Sequence, residues 1–592
     1  MNAGPITAAA ENPPYLNPHL PVESRVADLL SRMTLDEKIG QMVQADLSCV
    51  PDRSDIQKYG FGSMLSGGDS KPPRNNPGTW LQTVNELQAW ALKTRLKIPL
   101  LYGIDAVHGH NDVIGTVIFP HNIGLGATRN PKLVEQAAHI TALEVAGTGI
   151  RWTFAPCVAV VQDERWGRTY ESYGQDPNLV SELGAAAIRG FQGDELSDKP
   201  DSILACAKHF LGDGGTQGGQ DQGNTVYDEK ALRKLFLPSY RAAVGAGVGS
   251  IMVSYSSWNG QKMHGNKYLL TDVLKGELGF KGFLVSDWAA IDQLSPDYMA
   301  DVETSINAGL DMIMIPFGPG KTNNYVEFIQ DLKELVAKGK VPQSRIDDAV
   351  SRILRIKFQM GLFENPCTDP ALTAQIGSAA HRQVARKCVQ QSLVLLKNSE
   401  HALPLSKNLK HIVVVGKAAD DLGIQCGGWT ISWQGSGQLT RGTTILQAIR
   451  QTVSLETEVT FSADGSDIKN ADAVVAVIGE LPYAEFKGDR ANLGLAPGDV
   501  ALMAKARASG APVTTILLSG RPLIPGSALD ASDAFIAAWL PGTEGEGVAD
   551  VLFGGCKPTG KLPREWPRNN DQSAANTMKG QPLFDFGFGM TY

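Results

Sequence analysis

Acids, bases and tryptophans crowd into a few short stretches of this chain: YGIDAVHGHN (102–111), ERWGRTYESYGQDP (164–177), AKHFLGDGGTQGG (207–219), SYSSWNG (254–260), VSDW (285–288), GGWTISWQG (427–435) and GELPYAEFKGD (479–489). GxSxG, HExxH and the phosphate-binding loop pattern are absent, so paired carboxylates are the natural candidates for chemistry. Such equipment suits sugars, whose hydroxyls need charged and amide partners and whose C–H faces stack on indole rings. His108 and His110 lack an identifiable third ligand, and no metal site is expected from them.

These residues need a frame. Short apolar runs alternate with helix-period segments through about residue 360, and eight of them read as strands: 39–45, 60–65, 98–105, 151–157, 202–209, 249–255, 282–287 and 311–316. Continuous apolar strands separated by helices such as 79–95 and 229–247 indicate a parallel sheet covered on both faces. Eight of them predict a (β/α)8 TIM-type barrel, whose active site lies at the C-terminal ends of its strands. A single acid at a strand end is ordinarily a turn or helix cap. Here four ends carry polar groups: Asp105, Lys208-His209, Tyr255 and Asp287.

The stretch 361–380 reads as a linker between a barrel domain (1–360) and an α/β sandwich domain (381–592). The sandwich opens with a helix over 381–398 and has strands at 411–416, 472–480, 512–520 and 534–542. Gly416 is not followed by GxGxxG, which argues against a dinucleotide cofactor.

Composition narrows the function classes. Apolar residues make up 43% of the 592, charged residues 20%, and the net charge is −8. No basic face for nucleic acid and no apolar span for a bilayer stand out. Seven cysteines are scattered singly, without a metal or disulfide spacing. The start MNAGPITAAAENPP lacks the charged and apolar regions of a secretory signal. Location is open: periplasmic or secreted if a leader has been removed, otherwise cytoplasmic.

The motifs GIDAVHGHN, RWGRTYESYGQDP, KHFLGDGG, VSDW and PYAEFKGD, with the terminal FDFGFGMTY, occur in the order found in glycoside hydrolase family 3, and nearly the whole chain resembles its β-glucosidase and exo-β-glucanase branch. The resemblance implies a retaining exo-hydrolase that needs no cofactor and acts on β-linked glucose oligosaccharides or glucans. By position, Asp287 becomes the nucleophile and Glu485 the acid/base, with Glu480 the runner-up acid. Asp287 should stay ionised near Lys208 and His209, while Glu485 needs a raised pKa. Asp105, Arg168, Lys208 and His209 match positions that hold the terminal glucose, and Tyr255 one beside the nucleophile. Trp288 and Trp433 match the two rings that clamp the next sugar. Arg165, Glu171 and Asp176 read as supporting residues.

Three departures stand out. Gln293 replaces an arginine near the outer sugar, Val161 and Thr169 replace a pair of cysteines, and the third domain of many relatives is not expected. β-Xylosidase, N-acetylglucosaminidase, a non-catalytic carbohydrate-binding protein and a dinucleotide-dependent enzyme are the alternatives; KHFLGDGGTQGG lacks the Asp-x-His that an N-acetylglucosaminidase uses.

Overall fold

The structure, a computed structural model, describes residues 13–437, 440–572 and 580–592. The N-terminal stretch MNAGPITAAAEN considered above lies outside the described residues. Each of the eight expected runs overlaps a parallel strand, three of which extend one residue further: β1 (Val43–Asp46), β2 (Ser63–Ser66), β3 (Leu101–Ile104), β4 (Trp152–Thr153), β5 (Cys206–Phe210), β6 (Ser250–Val253), β7 (Phe283–Val285) and β8 (Ile313–Ile315). They pair in the order β8-β1-β2-β3-β4 and, separately, β7-β6-β5. Isolated parallel bridges, Trp152 with Leu204, Cys157 with Lys208 and Val285 with Met312, connect the two sets at both margins. The unit is barrel-like, and helices separate its strands.

Chain chemistry explains the connecting helices. Asn76 and Asp176 each accept a hydrogen bond from a backbone N–H in the first turn of the helix that follows, Pro77–Ala91 and Pro177–Gln192, and a proline opens both. The segment 229–247, expected as one helix, divides at Phe236 into Glu229–Leu235 and Leu237–Gly245. Pro238 has no N–H to continue the first helix, so it begins a new one.

The second unit is a six-stranded sheet, β9 (Val394–Asn398), β10 (His411–Val415), β11 (Glu458–Ser462), β12 (Ala473–Gly479), β13 (Val513–Leu518) and β14 (Ala534–Trp539), in the order β9-β14-β13-β12-β10-β11. Two of these strands depart from expectation. The helix predicted over 381–398 ends at Ser392, and Val394–Asn398 turns into the antiparallel edge strand β9. Strand β11 is the other edge; its residues are half-exposed, and it carries no continuous apolar run to reveal it.

The two units share one core. Along β10, Val413 and Val415 pack into the cluster that runs through the barrel unit, whereas Ile412 and Val414 enter a second cluster beneath the outer helices. That period of two means the inner face of the sheet is completed by the first unit. Polar anchors cross the same boundary. Arg564 donates to Glu164 at 2.9 Å, and neither side chain is exposed at all.

All seven cysteines are free, and no described helix is long and apolar enough to cross a membrane. Replacing Arg564 with Met leaves the Glu164 carboxyl buried without its partner. This variant should lose about 3 kcal/mol of stability, read as a fall in the urea midpoint that the double variant with Glu164→Leu partly restores.

Candidate active site

The strand ends and the loops of the second unit meet around one cavity of about 350 Å³. All nine residues singled out from the sequence line it: Asp105, Arg168, Lys208, His209, Tyr255, Asp287, Trp288, Trp433 and Glu485. Asp105 follows β3, Lys208 and His209 lie within β5, Tyr255 follows β6 and Asp287 follows β7. Asp105 and Lys208 form a buried pair, Nζ to Oδ1 2.7 Å. Burial lowers the Lys208 pKa most, but the Asp105 and Glu171 carboxylates together leave it raised.

Asp287 presents one committed and one free oxygen. Oδ1 accepts the Trp288 backbone N–H at 2.7 Å, while Oδ2 is buried with no hydrogen-bond partner. Its backbone N–H is held by His264 Nε2 at 3.1 Å. His209 Nε2 stands 3.6 Å from Oδ2 and its Nδ1 is 2.9 Å from Asp213. Burial pushes the Asp287 pKa up to about 6, against the opposing pull of Arg168. His209 does not supply the expected positive charge: burial, with Arg168 and Lys208 nearby, holds it well below the usual histidine range and therefore neutral. Arg168 is the leading counter-charge instead.

Arg168 also reaches the other acid. Its guanidinium donates twice to Glu171, at 2.9 Å each, and once to Glu485 at 3.2 Å. Burial raises the Glu485 pKa to about 8, with Asp221 and Asp287 adding to the rise and Arg168 opposing it. Of these two carboxyls, Asp287 is therefore the more readily ionised and Glu485 the more readily protonated. That division is what an attacking carboxylate and a proton donor require.

The loop carrying Glu485 is clamped onto the first unit. Arg521, fully buried, donates to the carbonyls of Glu164 and Arg165 at 2.9 and 3.1 Å and to Gly488 at 2.6 Å. Asp489 accepts the backbone N–H groups of Gly167 and Asp221 at 2.7 and 2.8 Å. Glu485 itself has φ +53°, a left-handed conformation that a non-glycine residue holds only when its surroundings impose it. A Cβ at Gly167 would fall 2.0 Å from the Glu485 carbonyl oxygen, so RWGR needs glycine where the two loops touch.

Glu480, the runner-up acid, lines a different cavity and is engaged by Tyr483, Arg490 and the Gly520 N–H. Of the supporting residues, Glu171 holds Arg168, Arg165 pairs with Asp163 and Asp176 caps a helix. His108 stacks on His121 and His110 meets Thr148; burial lowers the pKa of both. Among the described residues, one trio has metal-ligand proximity, Cys157 with His209 and Asp213, but burial holds the Cys157 thiol protonated.

Sequence reasoning missed several lining residues, among them Asp69, Phe154, Gln222, Met314, Trp429 and Phe486. Trp429 lay inside a quoted motif; its indole donates to Glu171 at 3.2 Å and faces Lys208. Trp288 is 36% exposed at the mouth, and a Cβ on Gly67 would collide with its ring. Trp433 packs partly against the core and also stands on the cavity wall, with its ring 5.7 Å from Phe486.

Comparison with known proteins decides the family. Residues 34–356 match the model of the glycosyl hydrolase family 3 N terminal domain, and residues 393–592 that of the C-terminal domain. The chain belongs to glycosyl hydrolase family 3. As a family 3 member it is a glycoside hydrolase of β-glucosidase or exo-β-glucanase type. It is 35% identical to the lysosomal beta glucosidase of Dictyostelium discoideum, over 96% of this chain and 76% of that protein. It is 42% identical to the exo-1,3/1,4-beta-glucanase of a Pseudoalteromonas species, with a TM-score of 0.91 over 96% of this chain and 74% of that one. A mutant beta-glucosidase from Listeria innocua, in complex with laminaribiose, is 29% identical with a TM-score of 0.84, over 96% of this chain and 83% of that one.

With one acid needed ionised and the other protonated, kcat/KM should trace a bell against pH, with limbs near 6 and 8. A profile that keeps rising above about pH 9 would contradict a protonated Glu485. Gly167→Ala should lower kcat by about 10²-fold by displacing the acid loop, with little change in the thermal midpoint if the effect is positional.

Proposed function

We propose that the chain is a retaining, exo-acting β-glucosidase of the exo-1,3/1,4-β-glucanase kind, releasing glucose from the non-reducing ends of β-glucans and oligosaccharides. The observation that carries this reading is the convergence on one cavity of a carboxyl raised to about 6 and another raised to about 8, one from each unit. The terminal glucose sits inward, with Asp105, Lys208, His209 and Arg168 around its hydroxyls, and the next sugar lies between Trp288 and Trp433. The glucose and laminaribiose bound by the Listeria innocua enzymes are compatible with such a substrate. The proposed frame is a (β/α)8 barrel over 1–360, a linker over 361–380 and an α/β sandwich from 381. The eight parallel strands and their bridging margins support it.

The chemistry follows from the two protonation states. Asp287 Oδ2, free of hydrogen bonds, attacks the anomeric carbon as the C1–O bond breaks and the Glu485 proton passes to the departing oxygen. A glycosyl ester on Asp287 results. Glu485, now a carboxylate, takes a proton from water as that water attacks C1 and frees Asp287, so two inversions return the β configuration. Asp221 and Asp287 near Glu485 favour its reprotonation for the next cycle.

Asp287→Ala should abolish hydrolysis of 4-nitrophenyl β-glucoside while the protein still binds glucose; unchanged turnover would remove the nucleophile. Glu485→Gln should cost laminaribiose, whose leaving group needs a proton, about 10³-fold in kcat. It should cost an activated aryl glucoside far less in the first step. Equal losses in kcat/KM, which reports the first step alone, on both substrates would point to another acid.

A further inference from the structure

A second cavity, of about 770 Å³, shares a wall with the active one. That wall is the loop after β12: Glu485 and Phe486 border the active cavity, whereas Glu480, Tyr483, Lys487 and Asp489 border the second. Chain ends of the second sheet form the rest. Lys417 stands two residues past β10, Ala463 follows β11 and Gly479 ends β12. The three strands are parallel, with β10 between the others. The chain leaves β10 on one side to make β11 and returns on the other as β12. Open parallel sheets bind ligands in the crevice beyond such a reversal.

The charges around this crevice are unevenly satisfied. Its carboxylates are engaged by the fold. Glu480 accepts from Tyr483, Arg490 and the Gly520 N–H, and Asp489 from the N–H groups of Gly167 and Asp221. Asp464 accepts the Ser466 N–H and Asp499 that of Gly479. Its lysines are not so engaged. Lys505 donates to one carbonyl, that of Asp464, at 2.8 Å. Among the described residues Lys417 makes no hydrogen bond or ion pair and meets Asp499 only through space, while Lys487 stands 5.4 Å from the Phe486 ring. Each ammonium has three donors and no acceptor, so the cavity offers donors in excess. A phosphate monoester answers them, with three acceptor oxygens and about two negative charges near neutral pH. Leu481, Leu502 and Leu523 give its organic part an apolar wall. The turn after β10 lacks the glycines that admit a pyrophosphate, so the fit is to one phosphoryl group.

We propose that this cavity binds a small phosphate monoester through Lys417, Lys487 and Lys505, and that the bound anion steadies the loop presenting Glu485. Lys417 belongs to the end of β10 and Lys505 to the helix Pro497–Ala508, whereas Lys487 lies two residues past Glu485. An anion bridging them ties the loop to its own sheet, beside the ties that Arg521 and Asp489 make to the first unit. Glu485, held at φ +53°, depends on its surroundings to keep that conformation. The binding claim stands apart from the β-glucosidase reading, and only the effect on rate rests on it.

The test is calorimetric titration with glycerol 3-phosphate at about pH 7.5 in about 0.15 M NaCl, with inorganic phosphate and glycerol run alongside. One saturable site with Kd below about 1 mM is expected for the ester, weaker binding for inorganic phosphate and none for glycerol. Lys417→Met and Lys487→Met should each weaken the ester about 10-fold, the loss of one charge-assisted hydrogen bond. Both lysines are exposed, so the variants should keep the thermal midpoint of the unaltered protein. Saturating ester should raise kcat/KM on laminaribiose about twofold, and Lys487→Met should remove that rise. No saturable binding, or affinity unmoved in both variants, overturns the site. Inorganic phosphate binding as tightly as the ester overturns the assignment to a monoester. Lysine-dependent binding with an unmoved rate overturns the tie to the loop. A protein that binds the ester but hydrolyses no glucoside would sink the functional reading and leave the site standing.

Discussion

The active cavity holds more acid than base, and that imbalance governs its chemistry. Asp105, Glu171, Asp213, Asp221, Asp287 and Glu485 surround it or stand directly behind it, and the permanent cations that answer them are Arg168 and Lys208. Lys208 is taken up by Asp105, and Arg168 chiefly by Glu171. Asp213, Asp221, Asp287 and Glu485 are left chiefly with the remaining reach of Arg168, and burial, which penalises the charge, raises the pKa of each. Water cannot screen them there, so the acids cannot all ionise together. Of the pair Asp287 and Glu485, Asp287, with a backbone N–H on one oxygen, gives up its proton at the lower pH. Glu485, flanked by Asp221 and Asp287, keeps its proton longer.

This division depends on two polypeptide units meeting accurately. Glu485 belongs to a loop of the second sheet, and nearly everything that tunes it belongs to the first unit. Arg521 and Asp489 reach outward from the second unit to backbone groups of the RWGR loop, while Arg168 reaches back. Backbone carbonyls and N–H groups are fixed partners, unlike flexible surface side chains. A clamp made to them therefore defines position as well as affinity. The continuous apolar core under β10 and β12 gives the same boundary its bulk stability.

The parts of this arrangement carried by local pattern were legible in the sequence. The eight apolar runs overlapped the eight strands of the first unit, and Asp287 and Trp288 stood just past the strand Phe283–Val285. The resemblance to family 3 placed nine cavity residues together, although they are spread from Asp105 to Glu485 along the chain. What could not be read were partners chosen by the tertiary fold. Arg521 and Arg564 look like ordinary basic residues until burial shows what they hold. Phe486 borders the cavity only because the second unit closes against the first, and Gln222 lies in a loop whose place no local pattern reveals. The edge strand Glu458–Ser462 was hidden because an exposed strand needs no apolar run. His209 looked like a charged neighbour of the nucleophile, yet a fully enclosed imidazole among cations is neutral.

Whether Asp287 and Glu485 work on one anomeric carbon from opposite units is tested most directly by trapping the enzyme with a 2-deoxy-2-fluoro-β-glucosyl fluoride and determining the crystal structure of the product. A covalent bond from Asp287 to C1 is expected, with the Glu485 carboxyl about 5 to 5.5 Å from that of Asp287. A sugar attached to any other carboxylate, or a Glu485 turned away into a separate cavity, would contradict it.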